Sequence, residues 1–239
     1  MPSHSEHRDP RRNYLLSGLP AATLDRLIPH LEPIRADQGD VLVQADRPVE
    51  RVFFPTSGLF SLIVRSSNGD DAVEAAVAGR EGMLGSAVIL GAPTSTFEEL
   101  CQVEDGVLAL PAAYLQRELE ADVAVRSMFL GYVAALLHAT ARTVSCNRLH
   151  GSEQRLARWL LVVRDRAETD TFYLTQQFLG QMLGVRRPTV TEAMQSLEEK
   201  QLIRHQRGRI RLVDTAGLEQ ITCEDYARIR DAYLAYLAR

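Results

Sequence analysis

The sequence predicts an α+β protein in which a small β-roll is followed by helices. Short strand-like runs separated by turn residues recur between Glu32 and about Pro111, a pattern typical of small all-β units. Turn residues then almost vanish over residues 112–147, where apolar residues recur at helical spacing. After residue 150, short helical patterns lead into a basic, strand-like pair of segments.

Length and composition exclude several classes of protein. The chain has 239 residues, 46% of them hydrophobic and 24% charged, which predicts two modest packed domains and excludes global disorder. We find no run of the ~20 consecutive apolar residues that a membrane span needs. The polar N-terminus does not resemble a secretory signal, so we expect a cytoplasmic protein without membrane contact.

The cysteine spacing argues against a metal or disulfide framework. Cys101, Cys146 and Cys223 lie far apart, with no C-x-x-C pair. That excludes a disulfide scaffold and a four-cysteine zinc site within one chain. We expect no metal site and no cofactor.

The roll is predicted from its strands and turns. Residues 14–31 are expected to form a short helical lead-in before it. The strand-like runs are Val41–Val43, Val52–Phe54, Leu59–Val64, Val73–Val77, Leu100–Val103 and Val107–Leu110. Turn signals lie between them at Gln38-Gly39-Asp40, Ser57-Gly58, Asn68-Gly69-Asp70 and Asp105-Gly106. The Asn-Gly pair is the strongest local hairpin signal.

One long helix over about 112–147 is predicted to form a homodimer. A heptad-like stripe with steps of four and three, typical of a coiled-coil seam, comprises Val125, Phe129, Tyr132, Leu136, Ala139, Thr143 and Cys146. A second stripe beside it comprises Leu130, Val133, Leu137, Thr140 and Val144. We assign Val125, Phe129, Tyr132, Leu136, Ala139 and Thr143 to the dimer interface, with the other face on the roll. The alternative is a helix packed wholly inside one domain.

The domain boundary is expected near residue 150. Leu149-His150-Gly151-Ser152 interrupts the helical pattern, and Ser152-Glu153 is a plausible helix start for a helix to Arg166. We therefore divide the chain into a β-roll domain with the long helix, 1–150, and a second domain, 151–239.

Residues 174–198 predict a helix-turn-helix. Thr175 can cap a helix whose apolar face is Phe178, Leu179, Met182 and Leu183, and Gly184 can end it. A second helix begins at Arg187-Pro188, with Pro188 at its first position. Val190, Met194 and Leu197 give this helix a buried face, and its polar face carries Arg187, Thr189, Thr191, Glu192 and Gln195. Such a second helix lies in the DNA major groove.

A basic hairpin is predicted directly after this helix. Residues 152–214 hold 11 basic against 8 acidic residues, although the whole chain has a net charge of −4. Residues 200–211 hold five basic residues and no acidic one, with arginines alternating with apolar residues around Gly208. This is the pattern of a β-hairpin wing suited to phosphate contact. The alternative is an ordinary solvated face.

The last segment, Leu218 to Leu237, has apolar residues at near-helical spacing. We predict a terminal helix that docks on the winged domain or the partner. Ile229 and Tyr233 are expected to be core residues.

Two rival functions are compatible with parts of this pattern. A cupin-like enzyme on the roll needs clustered His and Glu ligands, and residues 31–137 contain no His. Nucleophile-elbow, P-loop and H-E-x-x-H motifs are also absent from the sequence, so we expect no enzyme. The second rival is a ligand-sensing module whose winged helix contacts protein instead of DNA.

The chain resembles the Crp–Fnr regulators over nearly its whole length. The most specific matching parts are LTQQFLGQMLGVRRPTVTEAMQSLEEKQLI and the roll motif Glu81-Gly82-Met83-Leu84-Gly85. The resemblance implies a homodimeric bacterial transcription regulator that binds a two-fold symmetric DNA site and senses a signal in its roll. RNA polymerase is a further candidate partner.

The resemblance also implies roles for residues, with departures from the family pattern. The recognition positions that often hold Arg, Glu and Arg are here Arg187, Pro188 and Glu192, so the usual consensus site is not expected. The predicted base-contacting residues are Arg187, Thr189, Thr191 and Glu192. The predicted phosphate contacts are Gln176, Arg186, Arg207 and Arg209.

The predicted effector pocket departs from the cyclic-AMP-binding members. It comprises Gly85, Ser86, Phe97 and Thr140. Those members hold Glu after the glycine and an Arg-Ser/Thr pair for the phosphate, whereas this chain has Ser86 and about Phe97-Glu98. With Glu98 and Glu99 nearby and no Arg between Arg80 and Arg117, a phosphate would be unpaired. We expect no cyclic-AMP binding and leave another small effector open.

Iron–sulfur and redox sensing lack the residues they need. The N-terminal cysteine cluster of the oxygen-sensing members is missing. Cys101, Met83 and His138 remain formal candidates for a haem ligand. For redox sensing by Cys146, no cation that would lower its pKa is identifiable from the sequence, so Cys101 and Cys146 are left without an assigned role.

Overall fold

The computed structural model describes residues 9–66, 72–103 and 105–237. The N-terminal part is a β-roll whose strands are β1 (Glu32–Ala36), β2 (Val41–Val43), β3 (Arg51–Pro55), β4 (Leu59–Arg65), β5 (Ala72–Ala78), β6 (Glu98–Val103) and β7 (Asp105–Pro111). They form antiparallel sheets with the orders β1-β7-β3 and β2-β6-β4-β5. The α+β class and the roll are therefore confirmed.

Most predicted strands are observed, with two differences. The predicted turn at Asp105-Gly106 is wrong, because these residues already pair with Ala36 and Arg35 at the start of β7. The edge strand β1 was not predicted, and it tolerates Pro33 because an edge strand has free backbone groups on one side. β4 and β5 pair antiparallel as expected, and the Asn68-Gly69-Asp70 turn between them lies outside the described residues.

The predicted helical lead-in is two short helices, α1 (Tyr14–Ser17) and α2 (Ala21–Leu27), followed by a 3₁₀ turn, Ile28–His30. Pro20 starts α2 and separates it from α1. The buried Asn13 caps α1 by accepting a hydrogen bond from the Leu16 N–H, and its amide donates to the carbonyls of Pro55 and Gly82. The lead-in is thereby attached to the roll.

The helix predicted over 112–147 is interrupted, which corrects that prediction. It consists of α3 (Ala112–Ala121) and α4 (Val123–Leu149). Asp122 between them has an extended backbone, and its carboxylate accepts from the N–H of Ala124 at 2.7 Å. This side-chain cap starts a new helix where the apolar periodicity alone suggested continuity.

The two stripes of α4 have exchanged the roles predicted for them. The assigned dimer seam, Val125, Phe129, Tyr132, Leu136, Ala139 and Thr143, is buried inside the protomer, as is Cys146. These side chains cannot meet a second chain, so that assignment is contradicted. The neighbouring stripe is solvent-exposed at Leu130, Leu137 and Val144. The roll selects the first stripe because its interior supplies complementary apolar surface, including the Phe54 ring against Phe129.

Helix α4 is also the one helix among the described residues that is long and apolar enough to cross a bilayer. Its mean hydropathy reaches 1.4 in an 18-residue window, of which 33% is buried. Core helices of soluble proteins have the same length and composition, and the buried face of α4 belongs to the hydrophobic core of the roll. The observation is weak support for a membrane span.

The C-terminal part begins after a break at His150 and Gly151. It contains α5 (Ser152–Ala167), β8 (Thr171–Tyr173), α6 (Gln176–Leu183), α7 (Arg187–Glu199), β9 (Ile203–Gln206), β10 (Arg209–Leu212), α8 (Thr215–Ile221) and α9 (Asp225–Leu237). The last two correct the prediction of one terminal helix over 218–237. Residues 222–224 separate them, and Asp225 opens α9.

The two parts share their hydrophobic cores. Ile229, Tyr233 and Tyr236 of α9 are buried in the core of the roll and α4, so the prediction that Ile229 and Tyr233 are core residues is confirmed. Conversely, roll residues such as Leu59 and Ile63 pack with Trp159 and the helix-turn-helix. The terminal helix therefore docks on the roll and α4 of its own chain.

Candidate nucleic-acid interface

Helix α6 begins at a side-chain cap and ends at a glycine. The Thr175 hydroxyl accepts from the Phe178 N–H at 3.1 Å, as the sequence predicts. Gly184 follows the helix with φ +59°, a left-handed conformation that favours glycine. A Cβ at Gly180 would lie 2.9 Å from the Val185 carbonyl oxygen. The two glycines therefore permit the tight turn that brings the second helix against the first.

Helix α7 has an apolar back and an exposed polar front. Its back, Val190, Ala193, Met194 and Leu197, is buried. Arg187, Thr191 and Glu192 are exposed, and Thr189 is half-buried. Pro188 is the second helical residue and not the first, a small correction that leaves it in the first turn, where a missing N–H costs no intrahelical bond.

One contact joins the fronts of α6 and α7. The Thr191 Oγ1 lies 3.1 Å from both the Gln176 Oε1 and the Arg187 carbonyl oxygen. Two predicted contact residues from different sets, Gln176 and Thr191, are thus neighbours at the interface. The hydroxyl proton of Thr191 is shared within the protein, while the Arg187 guanidinium is exposed to solvent.

The predicted wing is observed as the hairpin of β9 and β10. Arg207 and Gly208 form its two-residue turn, with φ +50° and +78°, as in the primed turns that match strand twist. Arg204, Arg207, Arg209 and Arg211 are exposed, whereas Ile203, Ile210 and Leu212 face the core. The alternation separates charge from core because side chains of a strand point to opposite faces.

Sequence reasoning missed two residues that support the interface. Tyr173 of β8 lies under Arg209, whose guanidinium carbon is 4.7 Å from the ring centroid and which also donates to the Tyr173 hydroxyl. Arg155 of α5 is buried and donates to the Leu183 carbonyl at the end of α6. Both partners come from outside the helix-turn-helix, so no local pattern indicates them.

The four residues of the predicted effector pocket are placed as follows. Gly85 has φ +78° and precedes the 3₁₀ helix Ser86–Leu90, with Ser86 buried. Phe97 is half-buried just before β6. Thr140 donates its hydroxyl proton to the Leu136 carbonyl within α4, the bond of an ordinary helix residue.

A carboxylate of the protein occupies the position beside Gly85. Glu99 is 1% exposed, and its Oε2 accepts from the Gly85 N–H at 2.9 Å. Burial raises the pKa of Glu99 to about 8, against the opposing effect of the Gly85 hydrogen bond. Glu98 points elsewhere and pairs with Arg65 of β4. An anionic group is therefore not favoured at this end of the roll.

Cys146 has the cationic neighbour that the sequence did not reveal. The Cys146 Sγ lies 3.3 Å from the Cys223 Sγ. This hydrogen bond, with the charge of Arg158, lowers the pKa of Cys146 below its usual range. Arg158 follows twelve residues later in the chain on α5, so its proximity depends on the turn at His150 and Gly151.

Comparisons with known proteins agree with this geometry. Residues 154–221 match the profile of the Crp-like helix-turn-helix domain. The chain is similar to the transcriptional regulatory protein btr of Bordetella pertussis, with 25% identity over 223 residues that cover 85% of this chain and 87% of btr.

Solved structures share the fold at low sequence identity. FixK2 from Bradyrhizobium japonicum has a TM-score of 0.69 at 17% identity, covering 81% of this chain and 98% of FixK2. A putative regulator of the crp/fnr family from Eubacterium rectale has a TM-score of 0.67 at 16% identity, covering 87% and 98%. Of these three proteins, btr and the Eubacterium rectale protein are named as transcriptional regulators.

Proposed function

We propose that the chain is a DNA-binding transcription regulator of the Crp–Fnr type, supported by the match of residues 154–221 to the Crp-like helix-turn-helix domain and by the likeness to btr. Two copies would bind a two-fold symmetric duplex. Each copy inserts α7 into a major groove and lays its wing along the backbone. The single observation that carries the proposal is the exposed polar front of α7, beside a wing that carries four exposed arginines. We propose the domain boundary near residue 150, with α9 of the second domain packing back onto the roll and α4.

The proposed base contacts lie on the first turns of α7. Arg187, at the helix start, can donate two parallel hydrogen bonds to guanine O6 and N7. Glu192 can accept from a cytosine amino group, and Thr189 and Thr191 offer hydroxyls and methyls. Because Pro188 offers no polar group and Glu192 is acidic, we expect a site different from the usual family consensus.

The proposed phosphate contacts surround this helix. Gln176 is the first residue of α6, where the free backbone N–H groups favour an anion. Arg186 precedes α7, and Arg207 and Arg209 lie at the wing tip. Tyr173 stacks under Arg209 and so limits its rotamers, which reduces the entropy lost on phosphate binding.

Dimerisation is proposed to use the exposed stripe of α4. Regulators of this family act as dimers, and Leu130, Leu137 and Val144 repeat every seven residues on a helix face that the roll leaves uncovered. Val133 and Thr140 lie between them. A seven-residue apolar repeat is the pattern that two parallel helices bury against each other.

The proposal extends to the partners and the effector of the protein. We propose a cytoplasmic regulator with RNA polymerase as a further partner and with no catalytic site. Cyclic AMP is not the proposed effector, because Glu99 already presents its carboxyl group to the Gly85 N–H. Another effector of the roll remains open within the proposal.

The test is selection from random-sequence duplex DNA by the full-length, ligand-free protein at physiological salt. We expect enrichment of a symmetric motif with half-sites about 10 base pairs apart, or a multiple of that, centre to centre. Affinity should fall steeply as salt is raised, because phosphate contacts release counterions. The alternative, a winged helix that contacts protein, predicts no duplex preference at any salt concentration.

A further inference from the structure

Four side chains of three chemical types meet where α4, α5 and α9 come together. Cys146 lies on the last turn of α4, and His150 follows the end of that helix. Cys223 lies in the short link between α8 and α9, and Asp225 is the first residue of α9. None of these residues belongs to the proposed DNA interface, and the cluster joins chain segments that are 77 residues apart.

The ligand atoms are close enough to share one metal ion. One atom from each of the four side chains lies within 4.8 Å of the corresponding atoms of the other three. The two Sγ atoms are 3.3 Å apart, and the His150 Nδ1 is 3.7 Å from an Asp225 carboxylate oxygen. Ligands at zinc distances of about 2.0–2.3 Å are roughly 3.3–3.8 Å apart around a tetrahedral ion. The two pairs above already have this spacing, and any pair near the 4.8 Å limit would close by about 1 Å on binding.

Burial leaves the cluster in need of a partner. Cys146, Cys223 and Asp225 are at most 3% exposed. The His150 Nδ1 is buried without a hydrogen-bond partner among the described residues, and buried polar atoms are usually satisfied. A cation between Nδ1, the carboxylate and the two sulfurs would satisfy all four.

The surroundings of the cluster fit a bound metal. The other histidine nitrogen, Nε2, lies 3.4 Å from the Glu224 carboxylate, as the second nitrogen of a metal-binding histidine commonly does. Two thiolates and one carboxylate around a divalent ion leave one negative charge. Arg142, 3.7 Å from the Asp225 carboxylate, and the buried Arg158 can balance it.

We infer that Cys146, His150, Cys223 and Asp225 bind one Zn²⁺ ion in a closed, structural site. Sulfur and imidazole ligands in a set of four favour zinc over calcium or magnesium, which prefer oxygen. With all four positions supplied by the protein, no position is left for a substrate. The ion links the end of α4 to the start of α9 at the junction of the two halves of the chain.

The sequence argued against this site for a definable reason. Zinc motifs are recognised by paired ligands at short spacing, whereas here the pairs are Cys146 with His150 and Cys223 with Asp225, each with only one cysteine. The pairs meet only because α9 folds back onto α4.

The experiment uses the full-length chain, reduced and treated with a chelator. Titration with Co²⁺ should give tetrahedral d–d bands and thiolate-to-cobalt charge-transfer absorption that saturate at one ion per chain. Zn²⁺ should displace the Co²⁺. Neither step involves DNA, so failure of this inference and failure of the proposed DNA binding are distinguishable.

Variants assign the ligands. Cys146→Ser and Cys223→Ser should each lose the charge-transfer absorption, and His150→Ala, at a non-helical and partly accessible position, should lose the tetrahedral bands. Glu224→Gln, which removes only the partner of the ligating histidine, should weaken Zn²⁺ binding about 10- to 100-fold. Cys101→Ala is the matched control, because Cys101 lies in the roll and should not affect the titration. Circular dichroism of each variant establishes that it folds.

Three results would overturn the inference. One is the absence of saturable Co²⁺ or Zn²⁺ binding by the reduced chain. Another is a Co²⁺ spectrum that lacks thiolate charge-transfer absorption, or charge-transfer absorption that persists unchanged in folded Cys146→Ser. The third is protein whose Cys146 and Cys223 are recovered as a disulfide after purification with Zn²⁺, since the pair would then be a redox couple and not a metal site.

Discussion

Trp159 of α5 donates its indole N–H to the carboxylate of Glu74 on β5 at 2.8 Å. The same carboxylate accepts from the Ser61 hydroxyl of β4 at 2.5 Å. The roll and the first helix of the DNA-binding part are therefore joined through a buried acid. Any movement of α5 relative to the roll must break or move this bond.

The buried acid predicts a stability that decreases with pH. Burial raises the pKa of Glu74 from 4.5 to about 7. Between these values the folded chain keeps a proton that the unfolded chain has lost, so unfolding becomes easier as pH rises. The unfolding free energy of the wild-type protein should fall by up to about 3 kcal/mol over this pH interval because of Glu74. Glu74→Gln should remove this part of the fall. Urea unfolding at several pH values measures the unfolding free energy of both proteins. The same dependence of that free energy on pH in the wild type and in Glu74→Gln would contradict the prediction.

The buried ion pair between Glu81 and Arg166 predicts a large effect of removing one partner. Their side chains are each 8% exposed, with Nε to Oε1 at 2.6 Å, and Arg166 also lies over the Tyr233 ring. Glu81→Ala should cost about 3–5 kcal/mol in unfolding free energy, because a buried guanidinium is left unpaired. Asp37→Ala, which breaks an exposed pair with Arg35, should cost under about 1 kcal/mol. A similar loss of unfolding free energy in the two variants would show that the Glu81–Arg166 pair does not have the stabilising role expected of a buried ion pair.

Arg187→Ala should alter DNA specificity and not only affinity. Loss of a bidentate guanine contact should cost about 1–3 kcal/mol at one base position and relax the choice there. Arg207→Ala, which removes a proposed phosphate contact, should weaken all sequences alike and reduce the salt slope by about 1. Binding to a panel of single-base variants separates the two effects. If Arg187→Ala weakens binding to every sequence in the panel by the same factor, Arg187 contacts a phosphate and not a base.

Neighbouring leucines on α4 should have opposite effects on assembly and folding. Leu137 is 68% exposed and Leu136 is 5% exposed. Leu137→Asp should produce folded monomers in sedimentation, whereas Leu136→Ala should lower the unfolding free energy by about 2–5 kcal/mol. Leu90→Asp changes a similarly exposed leucine away from α4 and should leave the dimer intact. A dimeric Leu137→Asp would show that another surface holds the two chains together.

Calorimetric titration with cyclic AMP should give no measurable heat of binding at the roll. The Glu99 side chain is buried against the Gly85 N–H, so it already uses that donor, and a phosphate placed beside it would be left without a cationic or N–H partner. Saturable micromolar binding would refute this and would require Glu99 to move.

Local signals made much of the fold predictable. Thr175, Gly184 and Pro188 act on backbone groups within a few residues of themselves, so the ends of α6 and the start of α7 could be anticipated from the sequence. Alternating apolar residues likewise indicated the roll strands and the wing, because side-chain direction in a strand depends only on position along the chain.

Only the tertiary structure decided which surfaces meet. Two apolar stripes on α4 are equivalent in sequence, and the roll buries that of Phe129 while leaving that of Leu137 exposed. The return of α9 brings Cys223 to Cys146 and Tyr233 to Arg166, contacts between residues 77 and 67 positions apart. Periodicity in a sequence shows that a face is apolar. Which partner covers it depends on shape and on competition among all the apolar faces of the chain, and that is settled only when the whole chain packs.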